Sequence, residues 1–560
     1  MFVRAKTVRG VVYLQIVENQ RVEGRTKQRV VSSLGRLDQL QATGALESLS
    51  VSLTRFSEQV AVLGELKSLD VSVMPRREIA PALVFGKIWQ SLELDQVLRI
   101  LLRDRRFEAD VEQAVFLTVL HRLMDPGSDR QAALWKDGLG VPAFAEIELH
   151  QLYRTMAWLG EELPVSEQEA DPTPLAKRCV KDQIEELLFQ HRRDLFTDLD
   201  LVFFDTTSIY FEGAGGETLG QRGHSKDHRP DLKQMVVGAV IDSQGRPVCC
   251  EIWPGNTADV TTLVPVAARL KKRFGIERVC VVADRGMVSE QTRTELERMG
   301  FLYILGMRMR STNRADEALA RPGRYQQVVP PRTGRQDPSP LEVKEVRFAD
   351  LPGIRHVVCR NEEQARKDRH DREAILAALE AALKRGDKSL IGNDGYRKYV
   401  AKADPTARAF AINRAKAKAE ERLDGKWLLV TNADEQTLST ADIALRYKQL
   451  WMVEDIFRSM KSLLETRPIW HKRDQTIRGH VFCSFLALVL RKELQDRLDR
   501  AGHGDLAWAD IINGLRSISE FDLTTGGKTF TVRTSASGAA AHAIAAAGVA
   551  LPPIIRRTSP

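Results

Sequence analysis

Three acidic residues of this 560-residue chain have the type and setting for phosphoryl-transfer chemistry. Asp205 follows the apolar run 201–204, Asp284 follows the apolar run 278–283, and Glu454 lies in a long helical pattern. Transfer or hydrolysis of a phosphodiester needs in-line attack and neutralisation of a highly charged transition state. Two Mg²⁺ ions held by carboxylates can provide both. The residue types therefore predict a metal-dependent site, if the fold brings the three together.

The segments around these residues predict alternating strands and helices. Two strands of one sheet that end at Asp205 and Asp284 would place both carboxylates at the same edge. The order strand-strand-strand-helix-strand-helix-strand, followed by a further helix, is that of a ribonuclease H-like fold. The strands are predicted at 201–204, 234–241, 247–253, 278–283 and 301–306, and the helices at 260–274, 289–299 and 441–464.

The last of these helices carries the most informative pattern. Tyr447, Glu454 and Lys461 are spaced seven residues apart, about two helical turns, so they share one face. An ordinary explanation is a solvated helix in which Glu454 pairs with Arg458. Bulky apolar neighbours such as Trp451 instead predict a largely buried helix, and a buried carboxylate needs a cation or a metal partner.

Composition narrows the class of protein. The chain is 43% hydrophobic and 28% charged, which is typical of a globular protein. It has no stretch near the ~18 apolar residues of a membrane span and no signal-peptide core at its start, so we expect a soluble cytoplasmic protein. The six cysteines form no C-x-x-C pair, which argues against a zinc ribbon or a disulfide framework. The net charge of +8 suits a nucleic-acid partner, although many basic proteins bind none.

Residues 447–461 resemble the signature of the DDE transposases of bacterial insertion sequences, in the group marked by Tyr-x2-Arg-x3-Glu-x6-Lys. Tyr447, Glu454 and Lys461 match that pattern, and Leu450 stands where the motif has Arg. Other stretches resemble the same group: 204–208, 223–231, 254–257, 283–287 and 466–471.

The resemblance implies roles for these residues. Asp205, Asp284 and Glu454 would bind two Mg²⁺ ions, for which Mn²⁺ would substitute, and Tyr447 and Lys461 would contact DNA phosphates near the transposon end. Arg458 is our first candidate to replace the contact that Leu450 cannot make. Further candidate DNA contacts lie in a basic loop and after the helix: His224, Lys226, His228, Arg229, Arg467 and His471.

Several of these assignments have open alternatives. The basic loop at 222–233 could be an ordinary solvated loop, and His224 and His228, four residues apart, could form a metal pair. Trp451 is either core or a base-stacking residue, and Trp470 is the better DNA candidate. The carboxylates Asp227, Asp231, Glu251 and Asp259 have no assigned role.

The implied function is that of a transposase. It would bind the terminal inverted repeats as a homodimer on double-stranded DNA in the bacterial cytoplasm, cleave the ends and join the freed 3′-OH to target DNA, with no membrane and no small-molecule substrate. A ribonuclease H-like nuclease without strand transfer and a catalytically silent DNA-binding derivative are the alternatives.

We predict an α/β protein in six parts, with a ribonuclease H-like core that is interrupted by an α+β insertion. Helices are predicted at 82–102, 111–123 and 181–196. The parts are a basic β-hairpin with helices (1–70), a helical domain for DNA ends (71–197), the first part of the core (198–307), the insertion (308–425), the second part of the core (426–500) and an extension with a flexible, Ala/Gly/Ser-rich tail (501–560).

Overall fold

The computed structural model forms two compact units. One contains Met1–Leu83, Asp137–Val141 and Trp508–Pro560, and the other Val84–Lys136 and Pro142–Ala507. The six-part division remains a prediction. The structure describes residues 2–8, 10–22, 25–43, 45–46, 49, 72–73, 76–168, 177–192, 201–276, 279–310, 313–330, 339–385, 398–402, 410–525 and 528–557.

The chain begins with an antiparallel sheet in the order β1-β2-β3. The two predicted hairpin strands are confirmed, and β1 adds a third that the sequence reading missed. Among the described side chains of this sheet, Val17 alone is buried, so charged residues such as Arg29, paired with Glu18 at 2.8 Å, lie at the surface. The elements are β1 (Phe2–Val8), β2 (Val11–Val22), β3 (Arg25–Arg36), α1 (Leu37–Ala42), β4 (Ser72–Val73) and β5 (Arg77–Glu78).

A run of helices follows. The predicted helix at 82–102 is two helices, because the chain turns at Glu93, which has a positive φ of 57°. The other two predicted helices are confirmed, although residues 193–196 lie outside the described part of the chain. Asp110 caps α4 by accepting a hydrogen bond from the Gln113 amide. The helices are α2 (Ala80–Ser91), α3 (Leu94–Leu102), α4 (Val111–Met124), α5 (Asp129–Trp135), α6 (Leu149–Leu159) and α7 (Val180–His191).

The predicted core strands form one sheet in the order β8-β7-β6-β9-β10. β6 is antiparallel to β7 and parallel to β9, and β9 is parallel to β10. This is the ribonuclease H-like order, so the predicted fold class is confirmed. The elements are β6 (Leu201–Tyr210), β7 (Gln234–Asp242), β8 (Pro247–Pro254), α8 (Leu263–Phe274), β9 (Cys280–Ala283), α9 (Glu290–Arg298) and β10 (Leu302–Gly306).

The segment predicted as an insertion continues the same sheet. Beyond β10 the order is β16-β13-β12-β11, which gives nine strands among the described residues. The insertion therefore lengthens the core sheet on the side away from β6. Its elements are α10 (Asn313–Ala320), β11 (Gln326–Val328), β12 (Leu341–Arg347), β13 (Arg355–Arg360), α11 (Glu362–Arg385), β14 (Val400–Lys402), β15 (Phe410–Ile412) and α12 (Arg414–Glu421). The strand β16 (Lys426–Thr431), which begins the predicted second part of the core, pairs with both β10 and β13.

The helix predicted at 441–464 is broken. It consists of α13 (Thr440–Lys448), α14 (Trp451–Arg458) and a π-helical turn at Ser459–Leu463. The helix α14 packs against β6 and β7. Next along the chain comes α15 (Asp474–Arg500), which includes the apolar run 481–490. None of the described helices is long and apolar enough to cross a membrane.

The C-terminal region is more ordered than predicted. Residues 535–550 were expected to be a flexible tail, but most of them form α17. Alanine has the highest helix propensity, and four of its side chains (Ala540, Ala543, Ile544 and Ala547) are buried. The elements are α16 (Trp508–Ser517), β17 (Ser519–Thr525), β18 (Lys528–Arg533), α17 (Gly538–Ala547) and β19 (Ile555–Arg557), and the strands form the order β19-β18-β17-β4.

Candidate active site

Asp205 and Asp284 lie on neighbouring strands. In the parallel pairing of β6 with β9, Phe204 is opposite Ala283, so the two aspartates follow directly in register. The strand β9 ends at Ala283, as predicted. The prediction that Asp205 ends its strand is wrong, because β6 continues to Tyr210 along β7. The polar residues after Asp205 are largely β-formers, and Asp205 therefore projects from a rigid, paired strand.

Negative charge converges on Asp205. Its pKa is raised to about 6, chiefly by burial and also by the nearby carboxylates of Asp284 and Asp259, against the opposing effects of Lys226 and of the Thr206 amide. That amide donates a 2.7 Å hydrogen bond to Asp205 Oδ1. A carboxylate that is difficult to ionise beside other carboxylates is the environment in which a bound cation is favoured.

Asp259, which had no assigned role, is part of this cluster. Its Oδ1 accepts a 2.8 Å hydrogen bond from the Thr206 hydroxyl, and its Oδ2 lies 3.1 Å from the Lys226 Nζ. Lys226 also donates to the Thr206 carbonyl at 2.8 Å and to its hydroxyl at 3.0 Å. In this structure the Lys226 ammonium is ion-paired beside Asp205, and its predicted contact with DNA stays a prediction.

Tyr447 is bound to the second aspartate. Its hydroxyl donates a 2.9 Å hydrogen bond to Asp284 Oδ1. Burial, together with the charge of Asp284, raises the pKa of Tyr447, so the phenol stays protonated and acts as a donor. A Cβ at Gly306, the last residue of β10, would lie 2.4 Å from the Tyr447 hydroxyl. The absence of a side chain there makes room for this contact.

Glu454 does not have the environment that its apolar neighbours suggested. It is exposed, and among the described residues no hydrogen bond or ion pair involves it; Arg458 pairs with Asp455 instead, at 3.4 Å. The oxygens of Glu454, Asp205 and Asp284 do not all lie within 4.8 Å of one another in the described structure. However, the helix α14 that carries Glu454 packs against β6, the strand of Asp205. Because exposed, unpaired side chains change rotamer readily, the Glu454 side chain is free to reorient.

The donor set fits a divalent ion at the two aspartates. Both carboxylates offer the hard oxygen ligands that Mg²⁺ prefers, and they belong to adjacent strands. Burial and the neighbouring carboxylates disfavour the ionised form of Asp205, and a bound cation would offset that cost. Asp205 and Asp284 are the residues that would hold it, with Glu454 as the unpaired carboxylate on the neighbouring helix.

The remaining predicted contacts fall into two groups. Lys461 and Arg467 both contact Asp227, at 2.7 and 2.5 Å, and are not free cations. By contrast, the side chains of His224 and His228 are exposed and have no partner among the described residues, and neither belongs to a group of possible metal ligands in that part of the chain. The sequence motif suggested DNA contacts for all four without indicating which of them are ion-paired.

Three further side chains of the prediction lie at the surface or near it. Trp470 is 69% exposed and Trp451 is 48% exposed, so the interpretation of Trp451 as core is wrong. Its helix turns Val453 and Phe457 inward instead. Arg229 is ion-paired with Asp231 at 2.9 Å. Both tryptophans remain available to stack on bases.

His471 belongs to a buried network. Its Nε2 lies 3.0 Å from His480 Nδ1 and 3.5 Å from Asp129 Oδ2. These three residues have ligand atoms within 4.8 Å of one another, but Arg122 lies 2.9 Å from His480 Nδ1, where a metal would have to bind. Burial opposes ionisation of Asp129, yet its bond to His471 and the Arg122 charge lower its pKa to about 2. We therefore interpret the group as a buried ionic network, in which the Arg122 guanidinium occupies the position that a metal ion would need.

A cationic cleft beside Asp284 was not predicted. It has a volume of about 310 Å³ and is lined by Asp284, Arg285, Gly286, Arg308, Met309 and Arg310. Arg310 also pairs with Glu420. The arginines 285, 308 and 310 are dispersed along the sequence, so only the turn after β9 and the end of β10 bring them together.

The raised pKa of Asp205 makes a prediction for stability. Folding raises the pKa from 3.8 to about 6, so the carboxyl favours the folded state only while it is protonated, and this contribution is lost as the pH rises through about 6. In metal-free protein at pH 8, Asp205→Asn should increase the stability by on the order of 3 kcal/mol, with little effect near pH 4. Thermal unfolding with EDTA measures this, and exposed Asp231→Asn is the control. An unchanged midpoint for Asp205→Asn at pH 8 would contradict it.

Two family models match this chain. A family model described as "Transposase DDE domain" matches residues 197–490, and one described as "IS1634 family transposase, N-terminal domain" matches residues 3–70. No curated protein matches the chain significantly.

Two solved structures show a limited similarity. The piggyBac transposase in a synaptic complex with hairpin DNA is 10% identical, with a TM-score of 0.34 over 78% of this chain and 79% of that one. The Mos1 transposase in a paired-end complex with the left transposon end is 14% identical, with a TM-score of 0.14 over 35% and 60%. The fold assignment rests on the strand order and the family match.

Proposed function

The chain belongs to the transposase DDE domain family, and on that premise we propose that this DNA transposase hydrolyses one strand at each transposon end and joins the freed 3′-OH to target DNA at Asp205, Asp284 and Glu454. The observation that carries the proposal is the register that puts Asp205 beside Asp284 on neighbouring strands. Members of the family use divalent metal ions. We propose two Mg²⁺ ions here, with Mn²⁺ as a substitute.

The chain's own residues would contribute positioning and charge. Asp205 projects from a paired strand, and Asp284 is held by the Tyr447 hydroxyl, so both carboxylates are oriented before DNA arrives. The divalent ions, when bound, would activate the attacking oxygen and stabilise the leaving oxygen. The arginine-lined cleft beside Asp284 would attract the phosphate backbone.

DNA binding would use several surfaces. We propose that the exposed His224, His228, Arg458 and Trp470 contact DNA near the cleaved end, as do Arg229, Lys461 and Arg467 where their ion pairs leave donors unused. We propose the basic N-terminal strands as a second surface for DNA. We further propose that the chain acts as a homodimer that holds two ends.

Strand joining tests this proposal against its rivals. Purified protein with Mg²⁺ should nick DNA that carries the inverted repeats flanking the gene, and should join precut ends with free 3′-OH groups to a plasmid. Cleavage without joining would favour a nuclease of the same fold. DNA binding without metal-dependent cleavage on either substrate would favour a silent derivative.

A further inference from the structure

Asp227 lies in the loop between β6 and β7 and has a carboxylate that is almost fully buried, with 4% of its side chain exposed. Its Oδ1 accepts a 2.7 Å hydrogen bond from Lys461 Nζ and lies 2.5 Å from Arg467 Nη1. Its Oδ2 has no hydrogen-bond partner within the described structure. The Asp227 Oδ1 therefore contacts two cations, Lys461 and Arg467, from different segments of the chain.

The two cations retain unused donors. In the described part of the chain, Lys461 has no partner besides Asp227. Arg467 has, besides Asp227, only the face of Tyr210, 5.6 Å from its guanidinium carbon. Two positive charges against one negative charge leave a net positive charge, and the Arg467 side chain is 29% exposed. Because both nitrogens contact the same oxygen, they are close enough to bind one tetrahedral anion between them.

The loop that carries Asp227 is fixed to the strand of Asp205. The preceding Lys226 donates its backbone amide to the Ser208 hydroxyl at 2.7 Å and its ammonium to Thr206. A Cβ on Gly223 would lie 2.0 Å from the Gly255 carbonyl oxygen, so the backbones are in direct contact. The cation pair is thereby held at a defined position relative to the strand that bears Asp205.

We propose that Asp227 is a positioning residue that joins Lys461 and Arg467 into one binding site for a single phosphate group of the DNA backbone. The inference rests on the proposed function, because it assumes that DNA is the ligand of this face. The Arg467 side chain remains 29% exposed, so a phosphate could reach the surplus positive charge from solvent.

The test is the salt dependence of DNA binding. A short fluorescent duplex of arbitrary sequence is titrated with the full chain in EDTA at several salt concentrations. Asp227→Asn should weaken binding and reduce the slope of log K against log salt by about 1, the value for one lost phosphate contact. Glu217→Gln, which neutralises an exposed carboxylate on the same loop, should leave the slope unchanged.

If Asp227 acts by positioning Lys461 and Arg467, the effects of the substitutions on the slope should not add. A general loss of stability would not give this pattern. The double variant Lys461→Met, Arg467→Met should lower the slope by the same amount, and adding Asp227→Asn to it should change nothing further. Asp227→Glu should restore part of the binding. If Asp227→Asn does not fold, Arg467→Met alone, which keeps the buried Asp227–Lys461 pair, is expected to give the same reduction.

A wild-type slope and affinity for folded Asp227→Asn, or for Arg467→Met in its place, would overturn the inference. Because binding is measured without divalent ions, this result does not depend on cleavage. Unchanged slopes in these variants, together with normal metal-dependent cleavage by the wild type, would refute the role of Asp227 alone. If the slopes change as expected but the wild-type protein cleaves no DNA, only the proposed function is refuted.

Discussion

Asp205→Asn and Asp284→Ala should each reduce metal-dependent DNA cleavage and joining by roughly a thousandfold or more. Metal-assisted stabilisation of the transition state contributes several kcal/mol, and each 1.36 kcal/mol is a factor of ten in rate. The two carboxylates lie on adjacent strands in register, so neither can replace the other. The readout is single-turnover nicking of transposon-end DNA with Mg²⁺ in excess.

Asp205→Asn is expected to remain folded, because it removes a carboxylate whose ionisation opposes folding. Its thermal midpoint, measured on the same preparation, separates a loss of activity from unfolding. Mg²⁺ at about 100 times its dissociation constant should stabilise the wild type by about 2.7 kcal/mol and should stabilise the variant much less. Wild-type cleavage rates in Asp205→Asn would exclude this residue from the site.

Tyr447→Phe provides a graded comparison. It keeps all three carboxylates and removes only the hydroxyl that donates to Asp284. A hydrogen bond to a charged group contributes about 1.5–3 kcal/mol, so the expected loss is smaller than for either aspartate. Comparing the rate lost in Tyr447→Phe with that lost in Asp284→Ala shows how much of the contribution of Asp284 depends on its orientation by Tyr447.

The core sheet could be predicted because its strands are short apolar runs between turns. The order of these runs determines the ribonuclease H-like topology, and with it the proximity of Asp205 and Asp284. The pairing of Thr206 to Tyr210 with β7 could not be predicted, because polar β-formers occur both in strands and in the loops that follow them.

The helix of Glu454 shows a different limit. Apolar residues occur all around 450–460, so periodicity does not determine which face is buried. The structure breaks the helix near Gln449, buries Leu450 and exposes Trp451. The buried position of Leu450 offers an explanation for the departure from the motif, since a buried Arg would need an anionic partner.

The contacts of Asp227 and Asp259 arise only in three dimensions. Asp227 meets Lys461 and Arg467 across more than 200 residues of chain, and Asp259 meets Thr206 across 53. A single sequence contains no local signal for such pairs. The sequence alone could show only that these carboxylates had no assigned function.

Glu454→Gln should abolish cleavage and joining while leaving the fold intact. The side chain is exposed and has no partner among the described residues, so its neutralisation should change stability by no more than about 0.5 kcal/mol. Activity should nevertheless fall to the level of the aspartate variants, because the proposed mechanism needs a third carboxylate at the DNA. Cleavage rates and thermal midpoints measured on the same preparation separate the two effects.

Asp455→Asn is the matched control, since it neutralises the next residue, whose partner Arg458 is at the surface. It should keep most of the activity. If Glu454→Gln were as active as this control, the third carboxylate would have to come from elsewhere. Asp259 would then be the first alternative, because it already adjoins Asp205 through Thr206 and Lys226. Loss of activity in Glu454→Gln with an unchanged thermal midpoint would instead mean that an unpaired surface carboxylate is needed for the chemistry, which a purely structural helix would not require.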